Sequence, residues 1–102
     1  MTFLEQVKMD YEKGFPIFEK LFNKSSEEIR EILRKNLLNH NSRLDEYFFN
    51  HMDIVKTSKN DIPNKIECHF YDSISINFLG ITFEPEHGYS HTLISFTEGF
   101  EV

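Results

Sequence analysis

The sequence predicts an α+β fold, with three or four N-terminal helices followed by a three- or four-stranded antiparallel sheet. Three observations carry this. Apolar residues up to Lys56 recur every three or four places, and from Ile66 onward they alternate at every second place. With 102 residues, 39% of them hydrophobic and 15% aromatic, the chain can build one modest core without staples. It is therefore read as a single domain over 1–102, with a helical half (1–56), a linker (57–64) and a sheet half (65–102).

Thr2 and Glu5 have the spacing of a capping box, in which each side chain satisfies the other's backbone donor. A first helix is expected over Phe3–Lys13, ended by Gly14. Pro16 suits the first turn of a second, short helix, Pro16–Asn23, whose stripe is Ile17, Phe18, Leu21 and Phe22. Ser25 and Glu28 repeat the capping-box spacing. Ile29, Ile32, Leu33, Asn36 and Leu37 then step along one face, which predicts a helix over Ser26–Leu38. After the turn-rich Asn39–Ser42, the pair Ser42 and Asp45 offers another start. The stripe Leu44, Tyr47, Phe48, His51, Met52 and Val55 predicts a fourth helix from Arg43 to Lys56. Phe49 and Ile54 lie off that stripe.

Thr57–Asn64 is polar, contains Pro63 and has no periodicity, and reads as the linker. Ile66, Cys68 and Phe70 then share one strand face, and Ile74, Ile76 and Phe78 share the next, joined at Asp72–Ser73. Beyond Phe78 the phase slips to Leu79, Ile81 and Phe83. Gly80 marks either a bend or a break into two strands. Glu84–Ser90 reads as a turn. His91–Thr97 reads as a last strand with Thr92, Ile94 and Phe96 on one face, and Glu98–Val102 as a fraying tail.

The charge is unevenly placed. Residues 1–65 contain all 11 Lys and Arg together with 11 of the 17 Asp and Glu, so the net −6 belongs entirely to residues 66–102. A basic-free segment carrying Glu67, Asp72, Glu84, Glu86, Glu98 and Glu101 is poorly suited to phosphate neutralisation, which argues against direct nucleic-acid binding. It suits a basic protein partner, because complementary potential accelerates encounter and penalises wrong partners. Tyr71, Tyr89 and Phe100 lie beside these carboxylates in sequence and are the candidate aromatic anchors.

Catalytic grammar is weak. Cys68 is the only cysteine, which excludes an intramolecular disulfide and fits a reducing cytoplasm. Its place between Ile66 and Phe70 marks it as core. The spacing of His87 and His91 converges on a metal only in a helix, and Gly88 opposes one, so no metal is expected. His40 flanks the fourth helix, and His51 on its apolar stripe reads as a core histidine. His69 shares a strand face with Glu67 and Tyr71. Paired with His91 across a hairpin it is the strongest acid–base candidate, although a nuclease would also need cationic groups that this half lacks. No phosphate loop, nucleophile elbow or HExxH pattern occurs, and no cofactor is implied. Neither a leader nor a membrane span is visible.

In size, acidity and lack of catalytic motifs the chain resembles bacterial immunity proteins, small inhibitors of a cognate nuclease toxin. That resemblance implies a cytoplasmic binding protein rather than an enzyme. Its partner would be a basic toxin nuclease domain, met by Glu67, Tyr71, Asp72, Glu84, Glu86, Tyr89, Glu98, Phe100 and Glu101. The alternatives are a phage-type inhibitor of a nucleic-acid enzyme, a structural subunit, or a small hydrolase using His69 and His91. Docking through carboxylates predicts association that slows as salt rises and weakens on charge reversal at Glu84 and Glu86, measurable by stopped-flow or surface plasmon resonance.

Overall fold

The computed structural model describes residues 2–38, 46–69, 72–85, 93–96 and 99–102. Among the described residues three helices, α1 (Phe3–Phe22), α2 (Ser26–Leu37) and α3 (Glu46–His51), precede five strands. The strands are β1 (Asp53–Lys59), β2 (Ile62–His69), β3 (Asp72–Asn77), β4 (Gly80–Pro85) and β5 (Leu93–Ile94). They form one antiparallel sheet in sequence order, so the α+β expectation holds with one strand more than foreseen.

Both capping boxes form. The Glu5 N–H donates to Thr2 Oγ1 at 3.2 Å and the Glu28 N–H to Ser25 Oγ at 3.2 Å, while each glutamate accepts from its cap's N–H. Hydrogen bonding to the carboxylate from the Ser25 backbone N–H first and from its hydroxyl second holds the Glu28 carboxyl below its usual range.

The two short helices expected over residues 3–23 are one continuous helix. Gly14 does not terminate α1, because it is where the helix touches the rest of the protein: a Cβ there would overlap the Phe78 carbonyl oxygen. Pro16 deprives the Glu12 carbonyl of its helical donor, but both residues are exposed and water can satisfy that oxygen. Packing holds the two halves together. Phe78, in the β3–β4 turn, meets Tyr11 at 4.8 Å, Phe15 at 4.8 Å and Phe18 at 5.1 Å between ring centroids, all edge to face. Residues 11, 15 and 18 share one helical face, so a single ring spans the glycine and the proline.

The fourth helix expected from Arg43 to Lys56 is short. Of the described residues only Glu46–His51 are helical, and Asp53–Lys59 form β1. Ile54, Val55 and Thr57 are β-branched and fit a pleated surface better than a helix. Phe48, Phe49 and Met52 are buried, whereas Tyr47 and His51 are exposed and stack on each other at 4.0 Å. The helical stripe therefore misplaced Tyr47 and His51, whereas Phe49, which lies off the stripe, is buried on a second face. Arg30 Nε donates to the Met52 carbonyl at 3.1 Å and ties α2 to the point where helix becomes strand.

The expected linker is the first hairpin. Asn60 and Asp61 both have positive φ, 54° and 64°, as a two-residue type I′ turn requires, and Lys59 pairs with Ile62 across it. Asn77 closes the second tight turn by accepting from the Leu79 N–H at 2.9 Å and the Gly80 N–H at 3.1 Å. Gly80 thus begins a new strand, and its missing side chain admits the Ile94 carbonyl.

Pairing aligns the apolar positions into rows. Ile66, Ile76, Ile81 and Ile94 face one another in turn across four strands, and Ile54, Cys68, Ile74 and Phe83 form the next row. Against this face pack Phe18 and Leu21 of α1, Ile29, Leu33 and Leu37 of α2, and Phe48 and Phe49 of α3. Phe96 and Phe100 close the core edge to face at 5.1 Å. The tail is held at Glu101 rather than frayed there. Asn36 Nδ2 donates to the Glu101 carbonyl at 2.7 Å, and Asn36 Oδ1 accepts the Glu101 N–H at 2.9 Å.

Gly14→Ala tests this arrangement. Alanine favours an isolated helix by about 1 kcal/mol, yet overpacking against the Phe78 carbonyl costs more, so a net loss of about 1–3 kcal/mol is expected. It should appear as a lower denaturant midpoint at unchanged slope.

Candidate functional site

With α1, α2 and α3 on one side of the sheet, none of the described elements covers the other, the open face. Because Ile66 and Cys68 face the core, Lys65, Glu67 and His69 occupy the open face of β2. By the same alternation Ser73 and Ser75 of β3 and Thr82 of β4 share that face. Register then assembles rows. Asp53, His69, Ser73 and Glu84 stand at successive ladder positions, and Val55, Glu67, Ser75, Thr82 and Leu93 form the adjacent row.

Side chains link across this face. Glu67 Oε2 lies 2.9 Å from His69 Nε2 and Glu67 Oε1 lies 3.4 Å from Lys65 Nζ, while His69 Nδ1 lies 3.3 Å from Ser73 Oγ. With Glu67 ionised and the ring neutral, Nε2 carries the proton and Nδ1 is left to accept from the Ser73 hydroxyl. The hydrogen bonds from His69 and Lys65, and the Lys65 charge, hold the Glu67 carboxyl below its usual range. That interaction is in place at neutral pH and fades as pH falls through the carboxylate range. Glu67 is therefore a fixed, partly exposed anion on this face. It is also partly compensated, since a docking cation must compete with Lys65.

The nine candidate partner-binding residues do not share one place. Glu67 is on the open face, and Glu84 has a register position there, opposite Ser73. Asp72 begins β3 opposite Pro85. Glu101 belongs to the helical layer, where its carboxylate lies 3.9 Å from Lys35 of α2. Phe100 is buried and packs on Phe96, which makes it a core residue and removes it as an exposed anchor. Tyr71, Glu86, Tyr89 and Glu98 lie outside the described residues, as do His40, His87 and His91. The expected partnership of His69 with His91 thus falls outside them. His69 is seen with Glu67 and Ser73.

Sequence reasoning passed over Asp53 and Ser73. Asp53 was counted in a helix, and Ser73 was counted in a junction. Only the pairing of β1 and β3 with β2 brings them beside His69.

Cys68 lies beneath this face in the core, and burial pushes its thiol up to about 12. Among the described residues no group of three His, Cys, Asp or Glu is placed to hold a metal ion, and no helix is long and apolar enough to cross a membrane. The grooves that the structure describes lie away from the open face. One is a polar cleft of about 170 Å³ between α2 and α3, lined by Arg30, Arg34, Glu27, Glu31 and Asn50 with Phe49. Arg34 is already engaged there by Glu31 and, at 3.7 Å, by Glu46. A larger apolar groove runs between α1 and the β1–β2 hairpin.

Comparison with protein-family models, with curated proteins and with solved structures found no match.

The burial of Cys68 is open to a direct chemical test. At pH 8 the folded protein should react with a thiol reagent at least about a thousandfold more slowly than the denatured chain, because almost none of a thiol titrating so high is thiolate. The readout is 5-thio-2-nitrobenzoate release with and without denaturant.

Proposed function

We propose that this chain is a small protein-binding inhibitor that docks a basic partner on the open face of its sheet, acting by occlusion rather than by chemistry. The observation that carries the reading is the placement of Glu67: an ionised carboxylate, 33% exposed, on a sheet face that none of the described elements covers. Extended sheet faces suit protein partners, whereas small-molecule chemistry favours concave apolar sites. The partner would be a nuclease-type toxin domain or another enzyme that works on nucleic acid, since both present Lys and Arg where phosphates bind. Glu67 is the contact expected to matter most, with Asp53 and Ser73 beside it and Asp72 and Glu84 at neighbouring ladder positions. An immunity protein is the form of this function that the size and the acidity of the last third favour.

A second reading rests on the same residues. Glu67, His69 and Ser73 are linked in the order acid, base and hydroxyl that activates a nucleophile. If Ser73 is a nucleophile, a fluorophosphonate probe will label it in the native protein and Ser73→Ala will abolish the label.

Capture from a native lysate distinguishes the two. Tagged protein should retain a basic protein that a salt gradient releases at moderate ionic strength, and Glu67→Lys should weaken that complex by at least about tenfold in affinity. Glu67 is on the surface, so this variant keeps the fold, checked by its melting transition. A partner that resists salt, or one indifferent to Glu67→Lys, overturns the docking reading.

A further inference from the structure

Helix α1 is longer than the body it packs on. Its C-terminal half buries Phe18 and Leu21 completely, yet on the same helical face at the other end Phe3 is 81% exposed and Leu4 is 77% exposed. Leu4, Tyr11 and Phe15 follow one another at seven- and four-residue spacing, so they form one stripe along the helix. The stripe leads into the groove between α1 and the β1–β2 hairpin. That groove holds about 490 Å³ and is lined by Tyr11, Glu12, Phe15, Pro16, Ile62 and Phe78. Tyr11 and Ile62 on its walls are 44% and 53% exposed. One helix thus carries an uncovered apolar knob and, eight to twelve residues later, an open apolar groove.

We propose that α1 pairs antiparallel with α1 of a second copy, so that Phe3 and Leu4 of each chain fill the groove of the other. A two-fold axis across the first half of the helix satisfies both contacts at once, the self-complementarity that an isologous dimer requires. Helix rise places Leu4 and Phe15 roughly 16 Å apart along the axis, within the reach of two antiparallel helices in contact. Charge permits it. Between Phe3 and Pro16 the three acids Glu5, Asp10 and Glu12 face the two lysines Lys8 and Lys13 and leave a net charge of only −1, whereas the last third of the chain holds six acids and no Lys or Arg and would repel its own copy. Covering these side chains on both copies removes on the order of 1,000 Å² from water, at the lower end for specific interfaces. The dimer is therefore weak and concentration-dependent. It leaves the open sheet face free for a partner and stands independently of the function proposed above.

Sedimentation equilibrium of the full chain over about a hundredfold range of concentration provides the test. The mass should rise from 12.2 kDa toward twice that value. Leu4→Glu should raise the dissociation constant by at least about tenfold without lowering the melting temperature, because Leu4 is on the surface. Ile62→Lys should do the same from the groove side. The double variant L4E/I62K, which places opposite charges across the two-fold, should recover most of the loss, while Glu67→Lys should leave self-association unchanged. A monomer at every concentration overturns the proposal, and so does a dimer that Leu4→Glu leaves intact or a double variant no better than either single one.

Discussion

Beyond the shared core, the helical layer is fixed to one end of the sheet through one aromatic side chain. Phe78 sits in the tight turn between β3 and β4, and three rings of α1 meet it edge to face: Tyr11, Phe15 and Phe18. Such contacts add modest amounts beyond simple burial, so the greater consequence is geometric. The Phe78 carbonyl approaches α1 so closely that only glycine fits at position 14. Turn, helix and glycine fix one another's positions. Asn77 holds the turn from below through two backbone donors, and Gly80 lets β5 approach on its far side.

From that constraint follows the two-sidedness of the molecule. With α1 fixed across the β3–β4 turn, α2 and α3 are directed to the same side, and every fully buried position of β2, β3 and β4 faces them. The opposite side of the sheet is covered by none of the described elements, and Val55 and Leu93 share it with the polar residues of β2 to β4. Strand alternation sends Lys65, Glu67 and His69 there together. The electrostatics of that face follow from the pairing: a carboxylate between a lysine and a histidine two residues away on either side is held ionised and in place. The remaining acids of the last third are divided between layers, as Glu101 beside Lys35 of α2 illustrates. Net charge alone gives no indication of that division.

Much of the fold was legible in local patterns. Both capping boxes, the α2 stripe and the alternation in β2, β3 and β4 form as their spacings predict, because each depends on side chains within four residues of one another. The failures share a cause. Gly14 and Pro16 read as punctuation because their usual effect is local, yet here a distant ring supports the helix through both. Residues 53–56 carried apolar spacing compatible with a helix. Pairing with β2 decided for a strand, and Ile54 took its place opposite Cys68. Phe100, read as an anchor from its acidic neighbours, is core because Phe96 and the clasp of Asn36 on Glu101 draw the tail inward.

The sequence by itself determined the class of the fold, the order of helices before strands, the burial of Cys68 and the confinement of negative charge to the last third. Those properties depend on composition and on short-range periodicity, which any folded arrangement must satisfy. Only the tertiary structure decided that Glu67, His69, Ser73 and Asp53 meet on one open face, and that α1 runs unbroken past its glycine and proline. Both outcomes rest on contacts between residues distant along the chain, and register, unlike periodicity, is set by the partner strand.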